Sequence, residues 1–138
     1  MEGVHLPISY NYSKFLFFSS FSMLISTLIA IYMNDIYITI YFFLLFLSSI
    51  NYWRKPEYGF RRNIDLLIVK IGIISLLSQI CLLKNEFCRH IYISLAFCAA
   101  IFYIIEHILV YFINVKWIIF HMSIHIYISL AALLIIFN

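Results

Sequence analysis

An all-α, multi-pass transmembrane helical bundle of about five spans is the fold class that the sequence predicts, and three observations predict it. Of 138 residues, 65% are hydrophobic and only 11% charged, against roughly 45–50% and about 25% in an ordinary soluble domain. So few polar side chains cannot clothe a soluble surface. The apolar residues form continuous runs close to the 20 or so residues that a helix needs to cross the hydrocarbon core, not the alternation of a barrel strand. Helix breakers are scarce: of two prolines and three glycines, only Gly72 lies inside a run. The same composition excludes a disordered chain, a collagen-like repeat, a small disulfide scaffold and a nucleic-acid-binding domain.

The first run, Phe15–Met33, exceeds the 7–15 apolar residues of a signal peptide, and no small-x-small cleavage site follows it. It is expected to stay as a helix. Its small residues Ser19, Ser22, Ser26 and Ala30 share one stripe, the kind of seam along which helices pack in lipid. The second run, Ile36–Trp53, follows after only Asn34 and Asp35, which forces an antiparallel hairpin; Tyr41, Ser48 and Tyr52 lie along one side of it. A longer loop, residues 54–63, carries Pro56 and Gly59 as turn residues and leads into the third run, Asp65–Leu83. The fourth, Ile91–Ile113, shows a stripe of Ala96, Ala100, Tyr103 and His107. Asn114–Lys116 connects it to the fifth, Trp117–Phe137, with Trp117, His121, His125, Ser129 and Ala132 on one side. With this little chain between runs, residues 1–138 read as a single transmembrane domain.

The formal net charge is +3, and its placement is informative. Lys14, Arg54, Lys55, Arg61, Arg62 and Lys116 flank one side of the zigzag, and Lys84 and Arg89 the other. The positive-inside rule then puts the N-terminus and the 54–63 loop on the cytoplasmic (or matrix) side. Arg54, Lys55, Arg61 and Arg62 are expected among anionic lipid headgroups, a phosphate-bearing ligand being the alternative. Cys81 and Cys88 near the opposite end read either as free thiols or as a disulfide in an oxidising compartment. Cys98 reads as packing.

Ionisable residues inside spans are costly and mark functional sites by default. Asp65, Glu106, His107, His121 and His125, with Ser48 and Ser49, all fall in one band, the third of the bilayer nearest the basic side. His121 and His125, at i and i+4, project from one helix face and can bind one ion. His107 on the neighbouring helix is placed to supply a third nitrogen. Three protein ligands with an open position for water is the pattern of catalytic zinc. Asp65 or Glu106 would then serve as general base or orient a ligand histidine, and Ser48 or Ser49 would hydrogen-bond a developing oxyanion. Other readings stand beside this one. The histidines can simply hydrogen-bond across an interface, or His107 with His121 or His125 can ligate haem. Glu106–His107 can pair with Lys70 or a partner subunit, Asp65 can cap its helix, and Lys70 can snorkel.

The pattern Ser48-Ser49…Asp65…His121-Met-Ser-Ile-His125 resembles the alkaline ceramidase and progestin/adipoQ-receptor superfamily of intramembrane hydrolases. The resemblance implies that His121 and His125 are zinc ligands, with Asp65 and Ser48 or Ser49 beside the bound water. That family has seven spans, and its third histidine follows the serine by a few residues, where this chain reads Asn51-Tyr52-Trp53; His107 would substitute from another helix. Three functions are therefore expected to compete. One is a zinc-dependent intramembrane hydrolase of a lipid amide or ester. The second is a non-catalytic accessory or scaffold subunit of a larger membrane complex. The third is a small channel or transporter component. Membrane lipids are the expected partners in each, with a homo-oligomer or other membrane subunits besides.

Overall fold

The computed structural model describes residues 10–57, 59–112 and 115–138. Six α-helices account for nearly all of them: α1 (Tyr10–Ser19), α2 (Phe21–Tyr32), α3 (Ile36–Trp53), α4 (Phe60–Gln79), α5 (Glu86–Tyr111) and α6 (Trp117–Ile136), with one 3-10 turn at Ile80–Leu82 after α4. No strand occurs among the described residues, so the chain is an all-α bundle. Four helical stretches are long and apolar enough to cross a membrane: Asn11–Tyr32, Ile36–Trp53, Glu86–Tyr111 and Trp117–Ile136. These are the helices of an integral membrane protein. α4 has comparable length but carries Arg61, Arg62, Asp65 and Lys70.

The first expected span is interrupted at Ser20. Both hydroxyls at the break turn back onto one peptide oxygen: Ser19 Oγ and Ser20 Oγ each donate to Leu16 O at 2.9 Å, and the Ser20 N–H does so at 3.2 Å. Such hydroxyls compete with the backbone for helical carbonyls, yet Ser20 keeps helical backbone angles, and Asn11–Tyr32 remains one apolar helical stretch. The turn between α2 and α3 is as tight as expected. Asn34 adopts φ 59°, a left-handed conformation that asparagine tolerates, and Asp35 N–H bonds Ala30 O while Asn34 N–H bonds Ile31 O, a Schellman closure. Asp35 then caps α3 by accepting from Ile38 N–H at 3.0 Å, so one residue ends one helix and starts the next.

Two other boundaries move. α4 begins at Phe60 behind Gly59 (φ 137°), so Asp65 lies in the second turn and is not a cap. α5 begins at Glu86, where the Asn85 side chain accepts from Phe87 and Cys88 N–H. Part of the expected Asn114–Lys116 link lies outside the described residues. Cys81, Cys88 and Cys98 are free thiols.

The helices form a chain of neighbours. The α1–α2 unit sits between α3 and α6, α4 packs on α3, and α5 packs on α6. At the end opposite the basic loop, Tyr92 Oη donates to Leu76 O at 2.7 Å and ties α5 to α4. The α2–α6 seam is built from small residues as expected: Ser129 Oγ contacts Ser22 Oγ at 3.0 Å, and Ser26 Oγ reaches Ser129 O. Two apolar clusters result. The larger contains Met23, Ala30, Phe42, Leu45, Phe46 and Ala132; the smaller, at the basic end, contains Leu16, Tyr52, Trp53, Trp117 and Ile118. Along α1–α2, α3 and α6, the residues between these clusters are polar.

Candidate functional site

Ser19, Ser20, Ser48, Ser49, Asp65, Glu106, His121 and His125 make up this intermediate layer. Five helices contribute, α1, α3, α4, α5 and α6, with Ser20 at the junction of α1 and α2. Asp65 (7% exposed), Glu106 (8%) and His125 (5%) are buried, so they lie inside the protein, where intramembrane ionisable groups belong.

Each buried polar group is engaged across a helix boundary. Ser48 Oγ on α3 donates to Asp65 Oδ1 on α4 at 2.8 Å. Glu106 Oε1 on α5 accepts from His121 Nδ1 on α6 at 2.9 Å. His125 Nδ1 lies 2.8 Å from Ser19 Oγ, and Ser20 Oγ lies 2.9 Å from Ser49 Oγ. The imidazoles of His121 and His125 meet edge to face with centroids 4.8 Å apart, and Asp65 is within electrostatic reach of His121.

A carboxylate only accepts, so His121 donates from Nδ1 to Glu106. Ser19 has one proton and two acceptors within reach, Leu16 O and His125 Nδ1; the His125 tautomer with its proton on Nδ1 goes with the Ser19–Leu16 bond, the other tautomer with a Ser19 proton on His125. Among the described residues no hydrogen bond engages Nε2 of either ring, and the two rings stand on adjacent turns of α6. A histidine fixed through Nδ1 with Nε2 open is the arrangement that metal-ligating histidines adopt.

The expected third nitrogen does not join them. His107 is exposed, with its Nδ1 3.0 Å from Tyr103 O and its ring stacked on Tyr103 at 4.2 Å. Its neighbour Glu106 takes the inward position, since consecutive residues on a helix point about 100° apart. Among the described residues no group of three His, Cys, Asp or Glu side chains is arranged to hold a metal ion. Of the expected site residues, the structure therefore brings together Ser48, Ser49, Asp65, Glu106, His121 and His125, and leaves His107 outside.

Two residues join the layer beyond those expected, Ser19, which reads as packing, and Ser20, to which the sequence assigns no role, and two indoles border it. Trp53 edges against His121 at 5.1 Å, and Trp117 does so at 6.1 Å. Trp53 stands at the end of the Asn51-Tyr52-Trp53 stretch, where the resembling family carries its histidine. Among the described residues its buried Nε1 and the Oε2 of Glu106 have no hydrogen-bond partner.

Arg54 and Lys55 are exposed and Arg61 and Arg62 half-buried, all at the basic end; Lys55 pairs with Glu57 at 2.9 Å. No family model matches the chain, and neither do the curated proteins or the solved structures with which it was compared.

Proposed function

We propose that the chain is an intramembrane hydrolase of a lipid amide or ester, with α4 as a fifth crossing and the basic end on the cytoplasmic (or matrix) side. One observation carries the reading: both imidazoles of α6 are engaged at Nδ1, with Glu106 and with Ser19, and the Ser48–Asp65 pair stands in the same layer. That is the composition of an acid–base site assembled where only lipid substrates arrive.

His121 and His125 are the nitrogens that would hold a zinc ion, through Nε2. Zinc there would polarise a carbonyl and supply a water nucleophile at neutral pH. The donor set fits as far as these two ligands; a catalytic zinc takes three from protein, and His107 faces away. The chain's own residues have roles independent of that ion. Glu106 holds His121 in one tautomer. Ser48 occupies Asp65 Oδ1, which leaves the carboxylate's other oxygen to take the proton of an attacking water and return it to the leaving amine or alkoxide. Ser49 is the donor available to a carbonyl oxygen in the arrangement in which Ser20 donates to it.

The test is elemental mass spectrometry on detergent-purified protein, paired with turnover of lipid amides and esters, for wild type and His121→Ala/His125→Ala. About one zinc per chain and measurable hydrolysis, both lost in the variant, support the reading. Wild type with neither metal nor turnover overturns it.

A second reading, a non-catalytic subunit of a larger membrane assembly, is favoured by the outward-facing Tyr103–His107 pair. An imidazole on the lipid side of a span is costly unless another protein covers it. Co-purification of a stoichiometric partner that His107→Leu abolishes supports it.

A further inference from the structure

The bundle uses one face of α4. Asp65, Gly72 and Leu76 are buried, and the first two meet Ser48 and Tyr41 of α3. On the opposite side Asn63, Leu67, Lys70, Ile74, Leu77 and Cys81 are all exposed, and they follow one another at intervals of four, three, four, three and four residues. That repeat is the seam along which one helix lies against another. Among the described residues no helix besides α3 packs along α4; α5 reaches it at the far end, where Tyr92 bonds Leu76 O. Lys70 stands in the middle of the seam, roughly 15 Å from Phe60 and roughly 14 Å from Gln79 along the axis. Either distance exceeds the reach of a four-carbon stem, so its amino group does not snorkel to a surface. Among the described residues no carboxylate pairs with Lys70. Asp65, on the same helix, is buried on the other face and bonded to Ser48.

We propose that the outer face of α4 docks a transmembrane helix of another protein, one that carries an aspartate or glutamate at mid-membrane depth. The proposal rests on α4 being the fifth crossing and is independent of whether the polar layer is catalytic. Charge complementarity identifies the occupant. A lysine inside a span is costly against lipid and pairs with an opposite charge or faces a cavity. Lipid offers no anion at that depth, because its charges lie at the membrane surfaces. A second copy docked through the same face about a two-fold axis sets Lys70 against Lys70, whether the two helices run parallel or antiparallel, since this residue is central in the seam. Like charges so placed repel. A carboxylate on a different chain removes the conflict. Asn63, seven residues before Lys70 and so at the same heptad position, adds a second polar contact nearer the basic end. Polar residues at such positions fix register at a cost in stability, which makes this seam selective for its partner. It is a different surface from the Tyr103–His107 side of α5.

The experiment places the full chain in phosphatidylcholine vesicles with dansyl-labelled leucine peptides of about 20 residues that carry aspartate, lysine or leucine at the centre. Energy transfer from the chain's tryptophans reports docking. The aspartate peptide is expected to bind at least about threefold more tightly than the leucine peptide, the size of one polar contact between membrane helices. Lys70→Leu is expected to erase that preference, and Lys70→Glu to hand it to the lysine peptide. Lys70→Leu/Ile101→Lys carries the lysine to an exposed position of α5, five residues from Glu106 as Lys70 is from Asp65, and is expected not to restore it. Equal binding of the three peptides by wild type overturns the proposal, and so does full recovery in the relocated variant. In a Cys88→Ser/Cys98→Ser chain, a disulfide joining Cys81 of two copies would assign the face to a second copy and overturn it as well. The crossing is measured separately in that chain, with an impermeant maleimide in sealed vesicles. Labelling of Cys81 and Phe60→Cys from opposite sides upholds α4 as a span, and labelling of both from one side overturns the span and the docking face together. Opposite-side labelling without peptide preference overturns the docking face alone.

Discussion

Glu106 Oε1 and His121 Nδ1, 2.9 Å apart, join α5 to α6 at the level of the polar layer. The contact fixes which nitrogen of His121 is free, and with it what the layer can bind. Glu106→Ala leaves a half-buried imidazole N–H without this acceptor, at a cost of about 1 kcal/mol. The expected result is a lower unfolding temperature in detergent, and, under the proposed zinc reading, metal affinity weakened by roughly 10–100-fold. Glu106→Gln keeps an acceptor in place and is expected to recover most of the stability.

His107 and His121 differ by orientation alone. His107→Leu is expected to change neither metal content nor turnover, because its ring lies outside the bundle against Tyr103. His121→Leu is expected to abolish both. Parallel loss in the two variants would falsify the assignment of the inward-facing pair.

Gly72 on α4 is buried, and a Cβ built there meets the ring end of Tyr41 on α3. Gly72→Ala must displace an aromatic ring that also packs edge-on against Phe42. Such overpacking costs about 1–3 kcal/mol. Tyr41→Leu in the same chain is expected to return part of that loss, and thermal unfolding of the single and double variants measures the coupling.

On the α2–α6 seam, packing outweighs hydrogen bonding. Ser129→Ala gives up contacts to Ser22 Oγ and His125 O, and a hydrogen bond between membrane helices is worth about 0.6 kcal/mol. Ser129→Leu forces a branched side chain between backbones that approach closely, with a cost of about 1–3 kcal/mol. The larger side chain is expected to be the more damaging by a clear margin in the same unfolding measurement.

The spans and the depth of the polar layer were legible because both depend on one-dimensional quantities, the length of apolar runs and the rise per residue. Side-chain direction on α5 was not. The stripe Ala96–Ala100–Tyr103–His107 reads as the packing face, yet α6 covers the side bearing Ala99, Phe102 and Glu106, with Ala100, Tyr103 and His107 left exposed. The two faces are offset by one residue, and a helix apolar nearly all round gives no amphipathic signal to choose between them. The start of α4 was missed by five residues for a related reason. Arg61 and Arg62 read as loop, although basic residues at the bilayer surface are compatible with a helix that begins there. The role of Trp53 had no sequence signal at all; it comes from α3 and α6 meeting at their basic ends.

Ser19 Oγ, Ser20 Oγ and Ser20 N–H all lie within hydrogen-bonding distance of Leu16 O, more donors than its two lone pairs can hold. The same two hydroxyls reach His125 on α6 and Ser49 on α3, so a proton that leaves one acceptor has another at hand. One peptide oxygen thus shares its donors with two other helices, and because it is main chain, no side-chain replacement at position 16 can delete it.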